Sequence, residues 1–483
     1  MSDTRFKASL LASTMITGLI FAAPARAQDA ASQDSTNQEQ AVEIANPAER
    51  VAEGVAEQGA ATDAQDIVVT GSRIVRRDLE TAAPVAVVQD EEFKLSGTVN
   101  VEQVINTLPQ ALPGGTAFSN NPGGGVATLN LRGLGSTRTL VLVNGRRYLF
   151  FDAGQVVDLN TIPAFLIDSV DVVTGGASAV YGSDAVAGVV NFRLRNDIDG
   201  VEVGGQYSIT SRGDGPRYNA HIALGGDIGD RGHATVFGEY YKRGSVFQGD
   251  RGFSRTTFTD DGEGGFTEGG SSTNVFARIR DFFGSTNGEF TPGGRVFRDA
   301  GGNSSPANAS DLYNYAPANF LMVPQERYLI GGYADYDVGG GHTPFVEATF
   351  VNNRVENELA PTPVTGLFDI DVATACQFVN ATECARLQRA AAASGDPNVF
   401  EDAFVQRRIE ETGPRNSLDE RNAFRILGGI RGPITDRFNY EAYYSYARTR
   451  NSNIQEGNIS RSAFAAGLDG TGTPINIFGP GTL

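Results

Sequence analysis

The side chains that could do chemistry in this chain are few and scattered. The three histidines, His221, His233 and His342, fall near the ends of alternating, strand-like segments. None has a second His, Cys or acid at metal-ligand spacing, so they read as surface or turn residues and not as zinc ligands. Gly133-x-Gly135 lacks the third glycine and the following helix of a dinucleotide site. Thr174, Gly175, Gly176, Ala177 and Ser178 lack the lysine of a phosphate-binding loop. Ser178 is not in a nucleophile elbow, because Val180 takes the place of the last glycine. Asp260, Asp261 and Glu263 match no EF-hand spacing and read as a solvated loop. The expectation is no enzyme, no catalytic residue, no metal and no cofactor.

Two other patterns have physical content. Asp66, Ile67, Val68, Val69, Thr70 and Gly71 form an extended, β-branched run inside a polar neighbourhood. Such a run has unused strand-pairing capacity. It is either the first strand of the next domain or a peptide that adds itself to another protein's sheet edge. The second pattern is a set of arginines, Arg132, Arg138, Arg146, Arg147, Arg193 and Arg195, interleaved with glycine turns. These are either surface residues or partners for acids on another element.

Composition limits what those patterns can serve. The 483 residues allow two or more domains. The net charge of −18 argues against nucleic acid as a partner, since phosphate binding needs a basic surface. Beyond the N-terminus no run of eighteen apolar residues offers a spanning helix. The 59 glycines, with Tyr and Phe among alternating segments, suit a β-barrel and its turns. Tryptophan is absent, so Tyr and Phe would have to form any interfacial girdle.

The elements follow in order. Arg5 and Lys7 precede an apolar run over residues 8–23, and Ala25-Arg26-Ala27 gives a small-residue cleavage pattern. Residues 1–27 read as a secretory signal peptide, with a buried N-terminal helix as the competing reading. Residues 28–65 are acidic and poor in large apolar side chains, and should form a mobile linker. Residues 72–199 read as a small α+β domain, with strands over 84–88, 129–133, 139–143, 167–174 and 188–193. Helices are expected from Asp90 and over 101–105. Asn144-Gly145 is a hairpin signal. In the strand from Ile167, Val170, Val172 and Thr174 should share one face, with Asp171 and Val173 on the other. From residue 200 the pattern becomes short alternating strands, over 200–209, 217–225, 233–243, 327–336, 344–354, 422–431 and 438–449. Short turns alternate with two long polar stretches, 244–326 and 355–421. In the strand 344–354, Val346, Ala348 and Phe350 should face lipid, and Glu347 and Thr349 the interior.

Two stretches, 129–147 (LNLRGLGSTRTLVLVNGRR) and 167–195 (IDSVDVVTGGASAVYGSDAVAGVVNFRLR), together resemble the plug domain of TonB-dependent outer-membrane receptors. The resemblance implies an α+β plug inside a transmembrane antiparallel β-barrel. Its motif residues are Arg132, Gly133, Asn144, Gly145, Gly175, Gly176, Tyr181, Gly182 and Gly188. An acid often stands where Asn144 stands here, and Asn serves the turn equally well. Residues 66–71 then take the place of a TonB box. Residues 200–483 are expected to be the N-terminal part of the barrel, because seven strands fall short of the roughly 22 of plugged transporters. The plug arginines would meet wall acids such as Glu202, Glu239 or Glu347. In the oxidising compartment so implied, Cys376 and Cys384 could pair, the alternative being two free or buried thiols. The implied function is TonB-dependent uptake of a scarce large solute (a siderophore, cobalamin, haem or an oligosaccharide) across the outer membrane. The implied partners are TonB, outer-membrane lipid and an unidentified small molecule. The alternatives are a surface-binding protein without transport and a non-functional receptor fragment.

Overall fold

The computed structural model describes residues 85–120, 124–175, 177–280, 294–308 and 310–483. Residues 1–27 and 28–65, read above as a signal peptide and a linker, together with residues 66–71 and Gly176, lie outside the described residues.

The N-terminal domain is built on a five-stranded mixed sheet. Its strands are β1 (Val85–Gln89), β2 (Thr139–Val143), β3 (Arg146–Arg147), β4 (Ile167–Thr174) and β5 (Gly188–Leu194), in the order β1-β4-β5-β2-β3. Only β2 and β5 run parallel. Both faces are covered, which is why β2 reads as an unbroken apolar run, TLVLV. Val141, Val143, Val170, Val172, Val190 and Phe192 point into the main core. Leu140, Leu142, Val173 and Val189 point into a smaller one with Ala177 and Ala185. The period-two alternation of β4 thus divides as its sequence implies. Helix α1 (Asp90–Ser96) carries Asp90, Glu91 and Glu92 in its first turn and ends on Gly97 in the left-handed region. A single turn of helix, α2 (Val101–Ile105), buries Val101, Val104 and Ile105 against the same core.

Seven strands then form a sequential antiparallel meander, the wall. They are β6 (Gly200–Ser208), β7 (Arg217–Ile228), β8 (Gly232–Arg243), β9 (Gln325–Tyr336), β10 (Thr343–Leu359), β11 (Arg415–Thr435) and β12 (Phe438–Glu456). Each pairs with its sequence neighbour, so the order is β12-β11-β10-β9-β8-β7-β6. One end carries tight connections, at 229–231, 337–342 and 436–437. The other carries the longer ones, at 209–216, 244–324 and 360–414. Along β10, Phe345, Glu347, Thr349, Val351, Asn353 and Val355 are buried, while Val346, Ala348 and Phe350 are exposed. The same parity leaves Val203, Ile222, Val236, Ile330 and Ile426 exposed on the outer face of β6, β7, β8, β9 and β11. A row of inner residues, Ala223, Phe237, Leu329, Val351 and Ala423, joins the main core of the N-terminal domain. On the outer face, Tyr207 packs tilted against Tyr218 and Tyr240 against Tyr328, each pair with ring centroids 5.1 Å apart.

The two long polar stretches are not simple loops, which corrects the sequence expectation. They form a second hydrophobic core, with Ile279, Phe297, Phe368, Ile370, Phe400, Val405 and Ile409. Around it lies a five-stranded sheet of Ser304–Pro306, Arg295–Phe297, Arg278–Arg280, Val399–Ile409 and Thr362–Asp371, in that spatial order. Phe464, Ile477 and Phe478, beyond β12, complete the core. Cys376 and Cys384 form a disulfide with a Cα–Cα separation of 5.0 Å. It ties the turn after Val372–Ala375 to the helix Ala381–Ser394. Asn380 caps that helix, its side chain accepting from the Thr382 and Glu383 amides.

Candidate functional site

Several motif residues of the N-terminal domain gather around the β2–β3 hairpin at one edge of its sheet. Asn144 and Gly145 take φ of 50° and 74°, the two left-handed positions of a type I′ hairpin between β2 and β3. The hairpin is clasped to β5. The Leu194 amide donates to Asn144 Oδ1 at 2.8 Å, and the Gly145 amide donates to Asn191 Oδ1 at 2.8 Å. An acid at position 144 would accept the first bond equally well. The hairpin aims its two arginines in different directions. Arg147 donates to the Tyr181 carbonyl at 3.0 Å and to Asp184 Oδ1 at 2.8 Å, fastening the segment that holds Tyr181 and Gly182. The guanidinium holds the Asp184 carboxyl below the usual carboxylate range. Gly188 sits at φ 143°, where an added Cβ would lie 2.3 Å from the Val173 carbonyl oxygen. Gly175 ends β4, and Arg132 and Gly133 form an exposed turn after Leu129–Leu131.

Arg146 crosses to the wall. It pairs with Glu347 of β10 at 2.6 Å and with Glu441 of β12 at 3.0 Å, and its guanidinium lies over the Phe345 ring. Glu347 also accepts from Arg425 of β11 at 2.9 Å, so one buried carboxylate bridges two arginines. Arg195 makes a bidentate pair with Glu202, at 2.9 and 3.1 Å. Arg138 turns back to the Leu134 carbonyl of its own domain, and Arg193 is half-buried on β5.

Glu239 departs from the expectation. Its partner is Arg327 of the neighbouring strand β9, not an arginine of the N-terminal domain. Pairing places Glu239 beside Leu329 and Tyr241 beside Arg327, one diagonal step apart on the inner face. Arg327 then reaches on to donate to the Asn160 carbonyl at 2.7 Å. Sequence reasoning missed this reverse traffic. Arg421 of β11 donates to the Gly124 carbonyl at 2.5 Å and lies 3.8 Å from Asp158, and Arg425 covers the Tyr148 ring. Strand parity held the signal, since Arg421 and Arg425 alternate with the inward-facing Ala423 and Leu427. Further wall side chains reach main-chain carbonyls of the domain: Thr449 to Phe150 at 2.7 Å, Asn451 to Phe151 at 3.0 Å and Asn357 to Asn120 at 2.6 Å.

The seam is therefore mixed. A short apolar row is surrounded by charge-assisted and neutral hydrogen bonds, many ending on backbone carbonyls. Such contacts fix a register; the more exposed ones can exchange their partners for water at modest net cost, while the buried charges cannot. The arrangement can hold a domain in place and also let it be displaced.

Residues 77–189 match the family model of the TonB-dependent receptor plug domain. The N-terminal domain thus matches a TonB-dependent receptor plug, and it is seated on the inner face of a seven-stranded antiparallel wall with free edges at β6 and β12. Among solved structures, the ferric enterobactin receptor of Pseudomonas aeruginosa aligns at 15% identity and a TM-score of 0.43, over 77% of this chain and 42% of that one. The FpvA structure of P. aeruginosa bound to heterologous pyoverdines aligns at 11% and 0.40, over 79% and 44%. The siderophore receptor PirA of Acinetobacter baumannii aligns at 16% and 0.32, over 76% and 54%. The chain spans about two fifths of the length of the first two.

Proposed function

We propose that the protein takes part in TonB-dependent, energy-coupled uptake of a scarce large solute across the outer membrane. The observation that carries this reading is the plug seated on the wall through the Arg146–Glu347–Arg425 cluster and a ring of carbonyl-directed hydrogen bonds. The apolar outer face of the wall suits lipid, which would cover Val203, Ile222, Val236 and Ile330. Long-connection segments at the other end, with their own core and disulfide, would present the surface that captures the solute. That solute is a siderophore, cobalamin, haem or an oligosaccharide. Residues Asp66, Ile67, Val68, Val69, Thr70 and Gly71 would add as a strand to TonB in the periplasm. Force drawn from the inner-membrane proton gradient, about 2.3 kcal/mol per charge per 100 mV, would then shift the plug. Solute passes without a covalent change.

The strand-addition step has a direct test. Proline at position 69 removes a main-chain donor and fixes φ, which an added strand cannot tolerate. The periplasmic domain of TonB, used as bait, should capture the detergent-extracted receptor, and Val69→Pro should reduce that capture at least about tenfold, the effect of some 1.4 kcal/mol. Undiminished capture of Val69→Pro would contradict the role given to residues 66–71.

A further inference from the structure

Helix α2 carries a carboxyl that the seat and the motif residues leave unused. Glu102 is 1% exposed, and neither of its oxygens has a hydrogen-bond partner. It faces the wall beside a row of polar groups. Asn100, which precedes the helix, accepts from the Tyr241 hydroxyl of β8 at 3.0 Å. Two residues along β8, Arg243 donates Nε to the Val323 carbonyl at 2.8 Å and leaves Nη1 without a partner. Arg327 of β9 likewise has Nε unpartnered. The seam therefore holds an acceptor and cationic donors that do not meet in the seated state.

The charged groups around Glu102 come from three directions. Burial pushes its carboxyl up, and the buried Asp158 of the plug adds to that push. Its own main-chain amide, Arg243 and Arg327 pull the other way. Burial is the largest of these effects. A carboxylate with no donor from another residue, inside a low-dielectric seam, is the costlier form, and the neutral acid is the cheaper one.

We propose that Glu102 is a proton-binding site of the plug–wall seam: its carboxyl holds a proton while α2 is seated and releases it to water when α2 is displaced. One O–H bond breaks, one proton passes to solvent, and the carboxylate is left hydrated. The seated plug is then a proton-bound state. Its proton affinity exceeds that of the displaced or unfolded state, so seating is favoured by acid. The advantage is lost as pH rises above the ordinary glutamate range toward the seated-state value. The proposal rests on the plug-on-wall reading and does not depend on TonB or on the identity of the solute.

The test is hydrogen exchange of the amides over residues 101–106 in the detergent-extracted full chain, between about pH 5 and about pH 8 and corrected for intrinsic exchange. Protection should fall with rising pH by up to about tenfold per unit, the limit for one proton. Glu102→Gln keeps the shape and removes the proton, and should flatten the profile. Arg243→Gln removes a cation that favours the carboxylate, and should move the fall to higher pH. A flat profile in the native protein, or a fall that persists in Glu102→Gln, would overturn the proposal. If Glu102→Gln does not assemble, an Arg243→Gln profile unshifted or moved to lower pH does the same. Native amides at 101–106 that exchange freely at every pH would instead count against the seated plug itself.

Discussion

Replacing Glu347 with alanine should destabilise the seated plug by about 3–5 kcal/mol, the cost of leaving a buried charge without its partner. Glu347 is only 8% exposed, and it serves two arginines at once. The two should not suffer equally. Arg146 retains Glu441, whose side chain is 40% exposed and solvated. Arg425 is 3% exposed, and its remaining neighbour is the Tyr148 ring. Most of the loss should therefore sit on Arg425. Adding Arg425→Met to Glu347→Ala should restore more stability than adding Arg146→Met. The measurement is the urea midpoint of the detergent-extracted protein for each single and double variant. Equal recovery from both second substitutions would mean that the carboxylate serves the plug arginine as much as the wall one. A loss below about 1 kcal/mol, the size of a surface pair, would mean that the cluster does not hold the plug.

Gly188→Val should cost about 2–6 kcal/mol, adding backbone strain to overpacking. The position is at φ 143°, and its Cβ would meet the Val173 carbonyl oxygen at 2.3 Å and Leu131 Cδ1 at 2.9 Å. Both neighbours belong to packed strands, so neither can withdraw without opening the β4–β5 pair. Gly145→Ala separates the two contributions. That residue has φ 74° with nothing within 4 Å of the added carbon. It should pay only the left-handed strain, about 1–2 kcal/mol. The difference between the two variants in thermal unfolding measures the close approach of β5 to β4. Similar losses for both would mean that backbone strain alone, and not the close approach of β5 to β4, sets the requirement for glycine at position 188.

The wall was legible because its signal is local. Strands such as β8, β9 and β10 alternate with period two over much of their length, and a one-residue slip would move every apolar side chain to the wrong face. The sheet alternation of β4 was legible for the same reason. The Arg146–Glu347 and Arg195–Glu202 pairs were within reach, since a glycine-rich hairpin leaves arginines little to do but meet acids elsewhere. Arg327, Arg421 and Arg425 were not foreseen, because parity places a side chain on a face without saying what lies opposite. The second core was hidden for another reason. Arg278–Arg280, Arg295–Phe297 and Ser304–Pro306 are three residues each, too short to show a period. Their partner, Val399–Ile409, is interrupted by Asp402 at φ 51°, and its pairing with Thr362–Asp371 slips between Phe368 and Ile370. Glu102 was hidden because an acid in the first turn of a helix ordinarily serves the helix dipole. Only the tertiary packing removes its water.

The central claim is a plug seated on a lipid-facing β-wall. Gel migration of an outer-membrane fraction, with and without boiling, tests it most directly. A folded β-wall resists detergent until heated, so the account predicts a product enriched in the outer-membrane fraction whose band moves on boiling. A product that stays in the soluble fraction and runs at the same position before and after boiling would contradict it.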